Sequence, residues 1–326
     1  MNKSKIIGIA VLLIIIAFVG FKYYQYQHPE KFAVESTVAK SGSTHSDTTV
    51  TTETVAPSKT VSVKVETPIN GTLKGVIEVG ASGFNSFVVN IDKDKNWELV
   101  SKEFGESLAY EGFATTDDVK SGLKKYLATM FTRGVSGRNA HFVMSSGALK
   151  NPKTKLIASA IESMGYVVNR VTAEQEGKYA LKALLPKAYW DNSFVVDMGS
   201  GNSKVSWYEG SKLKSLEGPG AKYYQIPMTD QDAYAKIKDL VNQVPEAKKE
   251  HVFIIGGVPF QLAKQVRQGD QRFTALEDPD FYSAGDDVKV KSGLNLYRAI
   301  TDGSEAKDVI FDWDANFTIG FLMTLN

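Results

Sequence analysis

Residues 193–210 read Ser-Phe-Val-Val-Asp-Met-Gly-Ser-Gly-Asn-Ser-Lys-Val-Ser-Trp-Tyr-Glu-Gly, with an acid, two glycines and a lysine inside one short stretch. Asp197 ends an apolar, β-branched run, and a carboxylate at a strand end can hold a metal ion that bridges phosphate oxygens. Gly199 and Gly201 flank Ser200; without a Cβ they let backbone N–H groups turn toward an anion. Read alone, the stretch is also the pattern of an ordinary hairpin turn.

A second copy strengthens the chemical reading. Residues 76–83 run Val-Ile-Glu-Val-Gly-Ala-Ser-Gly, again an apolar strand, an acid (Glu78) and a glycine turn formed by Gly80, Ser82 and Gly83. Glu78 and Asp197 are 119 residues apart, about the length of one lobe in a duplicated fold. Two such hairpins facing each other would clamp a phosphate.

The surrounding pattern supplies elements to position them. Strands are expected over 75–80, 84–92 and 96–104, then an amphipathic helix near 116–132 with Val119, Leu123, Tyr126, Leu127 and Met130 on one face. A strand over 141–145, a helix over 151–164, a strand over 166–171 and a helix over 173–185, stopped by Pro186, complete the first half. The plan restarts with strands over 193–198, 203–209 and near 211–217, a helix about 229–243, and a strand over 251–255 ending at Gly256 and Gly257. The expected fold is therefore α/β, with two ribonuclease-H-like lobes, 61–187 and 188–326, meeting around 186–192 across a phosphate-binding cleft. Residues 270–326 match no pattern.

Composition narrows the function. The 326 residues are 43% hydrophobic, ample for a core, and a net charge of +1 offers no general attraction to nucleic acid. Without cysteine, disulfides, thiol nucleophiles and thiolate metal sites are excluded, and the four histidines are scattered singly. Residues 6–21 are uncharged and mostly aliphatic, and with 22–24 they make a helix roughly 28 Å long, just enough to span a bilayer. Tyr23, Tyr24 and Tyr26 suit an interfacial belt and no Ala-x-Ala site follows, so residues 1–32 read as an uncleaved single-pass anchor. Flanking lysines give a slight bias toward an outside body. Residues 33–60, rich in Ser and Thr and carrying Pro57, read as a flexible stalk.

With these motifs placed, residues 74–265 resemble the exopolyphosphatase and guanosine pentaphosphate phosphohydrolase family of the actin, Hsp70 and sugar-kinase superfamily. Asp197, Gly199 and Gly201 match the family's second hairpin, with Ser200 in place of a glycine; Gly80 and Phe84 match the first, with Glu78 in place of an aspartate. Residues 146–150, Ser-Gly-Ala-Leu-Lys, are similar to a strand end whose basic residue contacts phosphate, which makes Lys150 its counterpart. Residues 171–177 resemble the segment carrying the family's catalytic base, and Glu176 is the counterpart of that base. Read without the resemblance, Glu174 and Glu176 simply suit a helix N-terminus. Gly256 and Gly257 resemble the superfamily's nucleoside-contacting glycines, although a strand-end glycine pair is also ordinary packing.

Lys204 departs most. It stands where the family has a glutamate expected to help hold magnesium or orient water, and a cation there repels metal; its ammonium is expected to touch phosphate or point into solvent. Two functions follow. One is magnesium-dependent hydrolysis of a phosphoanhydride, with Glu78 and Asp197 near the metal, the glycine turns and Lys150 around phosphate, and Glu176 as base. The other is a membrane-tethered, actin-like nucleotide-binding scaffold with little turnover. Polyphosphate and guanosine or adenosine nucleotides are the expected ligands, with no nucleic acid and an open oligomeric state that includes a homodimer.

Overall fold

An apolar run that does not alternate belongs to a strand covered on both faces, and the runs carrying Glu78 and Asp197 are of this kind. β1 (Thr72–Gly80) is buried from Lys74 onward, and β6 (Ser193–Met198) along its whole length. The computed structural model describes residues 59, 61–80, 83–105 and 115–325.

From β1 the chain meanders through β2 (Gly83–Ile91) and β3 (Trp97–Phe104), then passes α1 (Thr116–Thr132), β4 (Ala140–Met144), the short α2 (Ser146–Leu149), α3 (Thr154–Ser163), β5 (Val168–Arg170) and α4 (Ala173–Leu184). The first sheet has the order β3-β2-β1-β4-β5, its first three strands antiparallel and β4 and β5 parallel to β1. After β6 come β7 (Asn202–Glu209), β8 (Lys212–Pro219), α5 (Asp230–Asn242), β9 (His251–Gly256), α6 (Gly257–Val266), β10 (Phe273–Leu276), α7 (Val288–Ser304), β11 (Asp308–Asp312) and α8 (Phe317–Met323). In the second sheet, β8-β7-β6-β9-β11 repeats the first sheet's order and senses, with β10 added as an antiparallel edge. The two sheets thus share one strand order, in keeping with the repeated hairpins.

Two differences have local causes. The helix expected over 151–164 begins only at Thr154, because Asn151 closes a turn: its Oδ1 accepts the Lys153 N–H at 2.9 Å and its carbonyl accepts the Thr154 N–H at 3.1 Å. Residues 270–326, which matched no pattern, complete the second sheet through β11 and then return to the first sheet through α8. One core joins Val76, Phe87 and Val143 of the first sheet to Val195, Phe253 and Ile310 of the second, with Leu181 and Leu184 of α4 and Phe317 and Ile319 of α8 between them.

Polar ties reinforce this seam. Lys102 of β3 donates to the Trp313 carbonyl at 2.7 Å and pairs with Asp314 at 3.1 Å. Arg272 forks onto Asp312 at 2.8–3.2 Å while its guanidinium lies 4.1 Å from the Trp97 ring centre. The anchor expected over 1–32 lies outside the described residues, as does the stalk apart from Lys59; among the described residues no helix is long and apolar enough to cross a membrane.

Candidate functional site

Hairpin register sets the first relation. Antiparallel pairing of β6 with β7 places Asp197 directly opposite Lys204, and both are buried. The Lys204 Nζ lies 3.5 Å from Asp197 Oδ2 and contacts Glu176 Oε2. It sits beneath the glycine turn, 3.7 Å from where a Cβ on Gly199 would stand. The ammonium thus points away from solvent and onto the two carboxylates.

Glu176 arrives from the first turn of α4, which Thr172 and Gln175 start with reciprocal capping bonds. Gly177 makes the approach possible, since a Cβ there would come within 2.6 Å of Ser206 Oγ on β7. The Ser146 N–H donates to Glu176 Oε1. One carboxylate oxygen therefore meets an amide and the other an ammonium. Burial pushes the Glu176 carboxyl up against the pull of Lys204. Burial also works against the Lys204 charge, but Asp197 and Glu176 outweigh it and hold the ammonium above its ordinary value.

Glu78 has neutral partners. Its Oε2 accepts from Asn85, its cross-strand neighbour, at 2.8 Å, and from Asn316 at 3.1 Å. Burial pushes its carboxyl up to about 7; the two amides oppose the shift, while the charges of Asp197 and Glu176 add to it. Asn316 also caps α8, its Oδ1 accepting the Thr318 N–H at 2.9 Å. Sequence reasoning missed Asn85, Asn316 and the Ser146 amide. Asn85 was within reach, since a hairpin closing at Gly80 and Gly83 pairs it with Glu78.

Both glycine turns converge on the start of α2. The Ser145 N–H donates to the Val79 carbonyl at 3.0 Å, one residue before Gly80. Asn202 donates to Ser146 Oγ at 3.1 Å, and the Gly147 Cα lies 3.8 Å from a Cβ built on Gly201. Gly80 pairs with Gly83 to close the first turn, and Ser82 lies outside the described residues. Gly199 and Ser200 carbonyls accept from Ala221 and Lys222, each at 2.9 Å. Gly256 neighbours the same turn through its pairing with Met198; its φ of +130° and the overlap that a Cβ would make with the Met198 carbonyl require glycine. Gly257 opens α6 and is exposed, as is Lys150 just past α2.

No family model and no curated protein matches the chain in sequence. Solved structures do match. A Ppx/GppA family member from Aquifex aeolicus superposes at a TM-score of 0.57 with 17% identity, over 78% of this chain and 97% of that one. An exopolyphosphatase from Cytophaga hutchinsonii gives 0.57 with 15% identity, over 78% and 97%. The type II variant of the Aquifex aeolicus Ppx/GppA phosphatase gives 0.54 with 15% identity, over 78% and 99%. The chain has the Ppx/GppA fold. At these identities the likeness is one of fold, and the chemistry has to be read from this chain's own residues.

Within that fold, the magnesium expected on Glu78 and Asp197 does not fit these residues. An ion on Asp197 would sit against the Lys204 ammonium, and Glu78 Oε2 accepts from Asn85 and Asn316. What these residues offer instead is a fixed internal cation between two acids, under a glycine turn.

Proposed function

We propose that this Ppx/GppA-fold protein binds a phosphorylated ligand, a nucleotide or an inorganic polyphosphate, around a lysine-filled centre in place of a magnesium ion, with little or no hydrolysis. The buried pairing of Lys204 with Glu176 carries this reading. A general base must lie within reach of the attacking water, and the buried Glu176 carboxylate is turned onto the Lys204 ammonium and the Ser146 amide. The glycine turns supply the ligand cradle, and residues 1–32 hold the body at a membrane on the stalk of residues 33–60.

A second reading, phosphoanhydride hydrolysis, draws on one observation: Glu176 and Asp197 reach the same ammonium, so both acids stand at one place beneath the turn. If a ligand drew Lys204 away, water could attack a terminal phosphorus, pass its proton to Glu176 and release the bridging oxygen with the leaving phosphate chain. Phosphate release by the full chain in detergent, offered ATP, guanosine pentaphosphate and polyphosphate, separates the two. The binding reading predicts ligand association without release above the protein-free rate. Release that Glu176→Gln abolishes would establish the hydrolase.

A further inference from the structure

Two aromatic rings stand at the ends of the strands that carry the glycine turns, one from each lobe. Phe104 closes β3 at the end of the first sheet where β1 reaches Gly80, because the register pairs Glu78 with Asn85 and Asn85 with Phe104. Directly paired residues point to one face, so Phe104 lies in the row of Glu78, two strands or about 10 Å away. Phe260 comes from the first turn of α6, which starts as β9 ends at Gly256 beside Met198. The two ring centres are 6.5 Å apart, with their planes inclined at 48°.

Both rings are held from behind. Phe87, itself buried, meets Phe104 edge-on at 6.1 Å, while the buried Trp313 and Phe311 back Phe260 at 5.3 and 6.3 Å. Lys102, two residues before Phe104, donates to the Trp313 carbonyl and so ties the strand of one ring to the support of the other. Yet Phe104 is 61% exposed and Phe260 only partly covered. The inclined planes make a wedge rather than a closed stack. A lone exposed phenylalanine is ordinary. A ring braced by buried aromatics, left open, and in line with a buried acid of the site is placed to meet a flat partner.

We propose that Phe104 and Phe260 form a stacking platform for the base of a nucleotide whose phosphates lie at the glycine turns. This rests on the reading that the cleft takes a phosphorylated molecule, and it selects a nucleotide over an inorganic chain. Polyphosphate carries charge along its whole length and gains nothing from bare rings. A nucleotide has one flat end and one anionic end, and so uses both features. Lys264 stands over Phe260, its ammonium 5.6 Å from the ring centre, which makes Phe104 the more open ring and the one to substitute. Stacking tolerates any base, since each has a π-face.

Titration calorimetry on the full chain in detergent, with ATP, GTP and tripolyphosphate as probes, tests this. Tripolyphosphate offers the phosphates without the base. Phe104→Leu keeps an apolar side chain and removes the ring, whereas Phe104→Tyr keeps the ring. Wild type should bind at least one nucleotide more tightly than tripolyphosphate. Phe104→Leu should weaken that nucleotide roughly tenfold, the loss of one stacked base, and leave tripolyphosphate within about twofold. Phe104→Tyr should keep the wild-type affinities. Nucleotide and tripolyphosphate weakened alike by Phe104→Leu would make the ring a clasp between lobes and overturn the platform. Nucleotide binding that Phe104→Leu leaves unchanged, or tripolyphosphate bound more tightly than either nucleotide, overturns the platform and leaves the cleft reading standing. Wild type that binds none of the three overturns both.

Discussion

Lys204 on β7 and Glu176 in the first turn of α4 form a buried ion pair, with side-chain exposures of 4% and 1%. The cross-strand register hands Lys204 to Asp197, and the close packing at Gly177 brings Glu176 onto the same ammonium. A lysine of the second hairpin thus sits between two acids beneath a glycine turn. The consequence is both structural and chemical.

Removing the cation leaves two buried acids facing each other. Lys204→Met should destabilise the protein by about 3–5 kcal/mol, the usual penalty for breaking a buried pair from one side. Adding Glu176→Gln and Asp197→Asn should recover most of that loss. Chemical denaturation of the single and triple variants checks both statements, and an additive triple variant would show that the pairing is incidental.

Glu78 should make stability depend on pH. Its carboxyl is pushed up to about 7 in the folded protein from an ordinary value of 4.5, so between those values the folded state binds more protons than the unfolded chain. Stability from this group is therefore full below about pH 4.5, falls as pH rises toward 7 and is flat above. Glu78→Gln should remove that slope and be the more stable protein at pH 8, by on the order of 3 kcal/mol. Denaturation midpoints of the two proteins from pH 4 to 8 read the difference directly; parallel curves would contradict it.

Gly177 should tolerate no side chain. Alanine there would press on Ser206 and Ser215 of the second sheet and lift α4 away from β7. Gly177→Ala should lower stability by about 1–3 kcal/mol, the range for overpacking a tight contact. A thermal melt at wild-type temperature would mean that the helix moves without penalty.

The parts legible in the sequence are those whose pattern is local. Apolar runs marked β1 and β6, the apolar face of Val119, Leu123, Leu127 and Met130 marked α1, and the acid-glycine hairpins marked the repeated plan. α8 was illegible for a physical reason: buried from Phe317 to Leu322, it shows no polar face and therefore no helical period. Missing α8 also hid Asn316, which reaches Glu78 from 238 residues away. Asp197 and Lys204 could be paired from the hairpin alone, but the third partner, Glu176, depends on how α4 packs, which no local pattern encodes.

On the proposed reading, Lys204 stands in for a divalent metal. The most direct measurement is the affinity of wild-type protein for ATP and tripolyphosphate, by calorimetry, in EDTA and again in excess magnesium. A ligand held around an internal ammonium should bind in EDTA within about twofold of its affinity in magnesium, far short of the roughly 1.4 kcal/mol that marks a tenfold change. Binding that vanishes in EDTA and returns tenfold or more tighter with magnesium would contradict it.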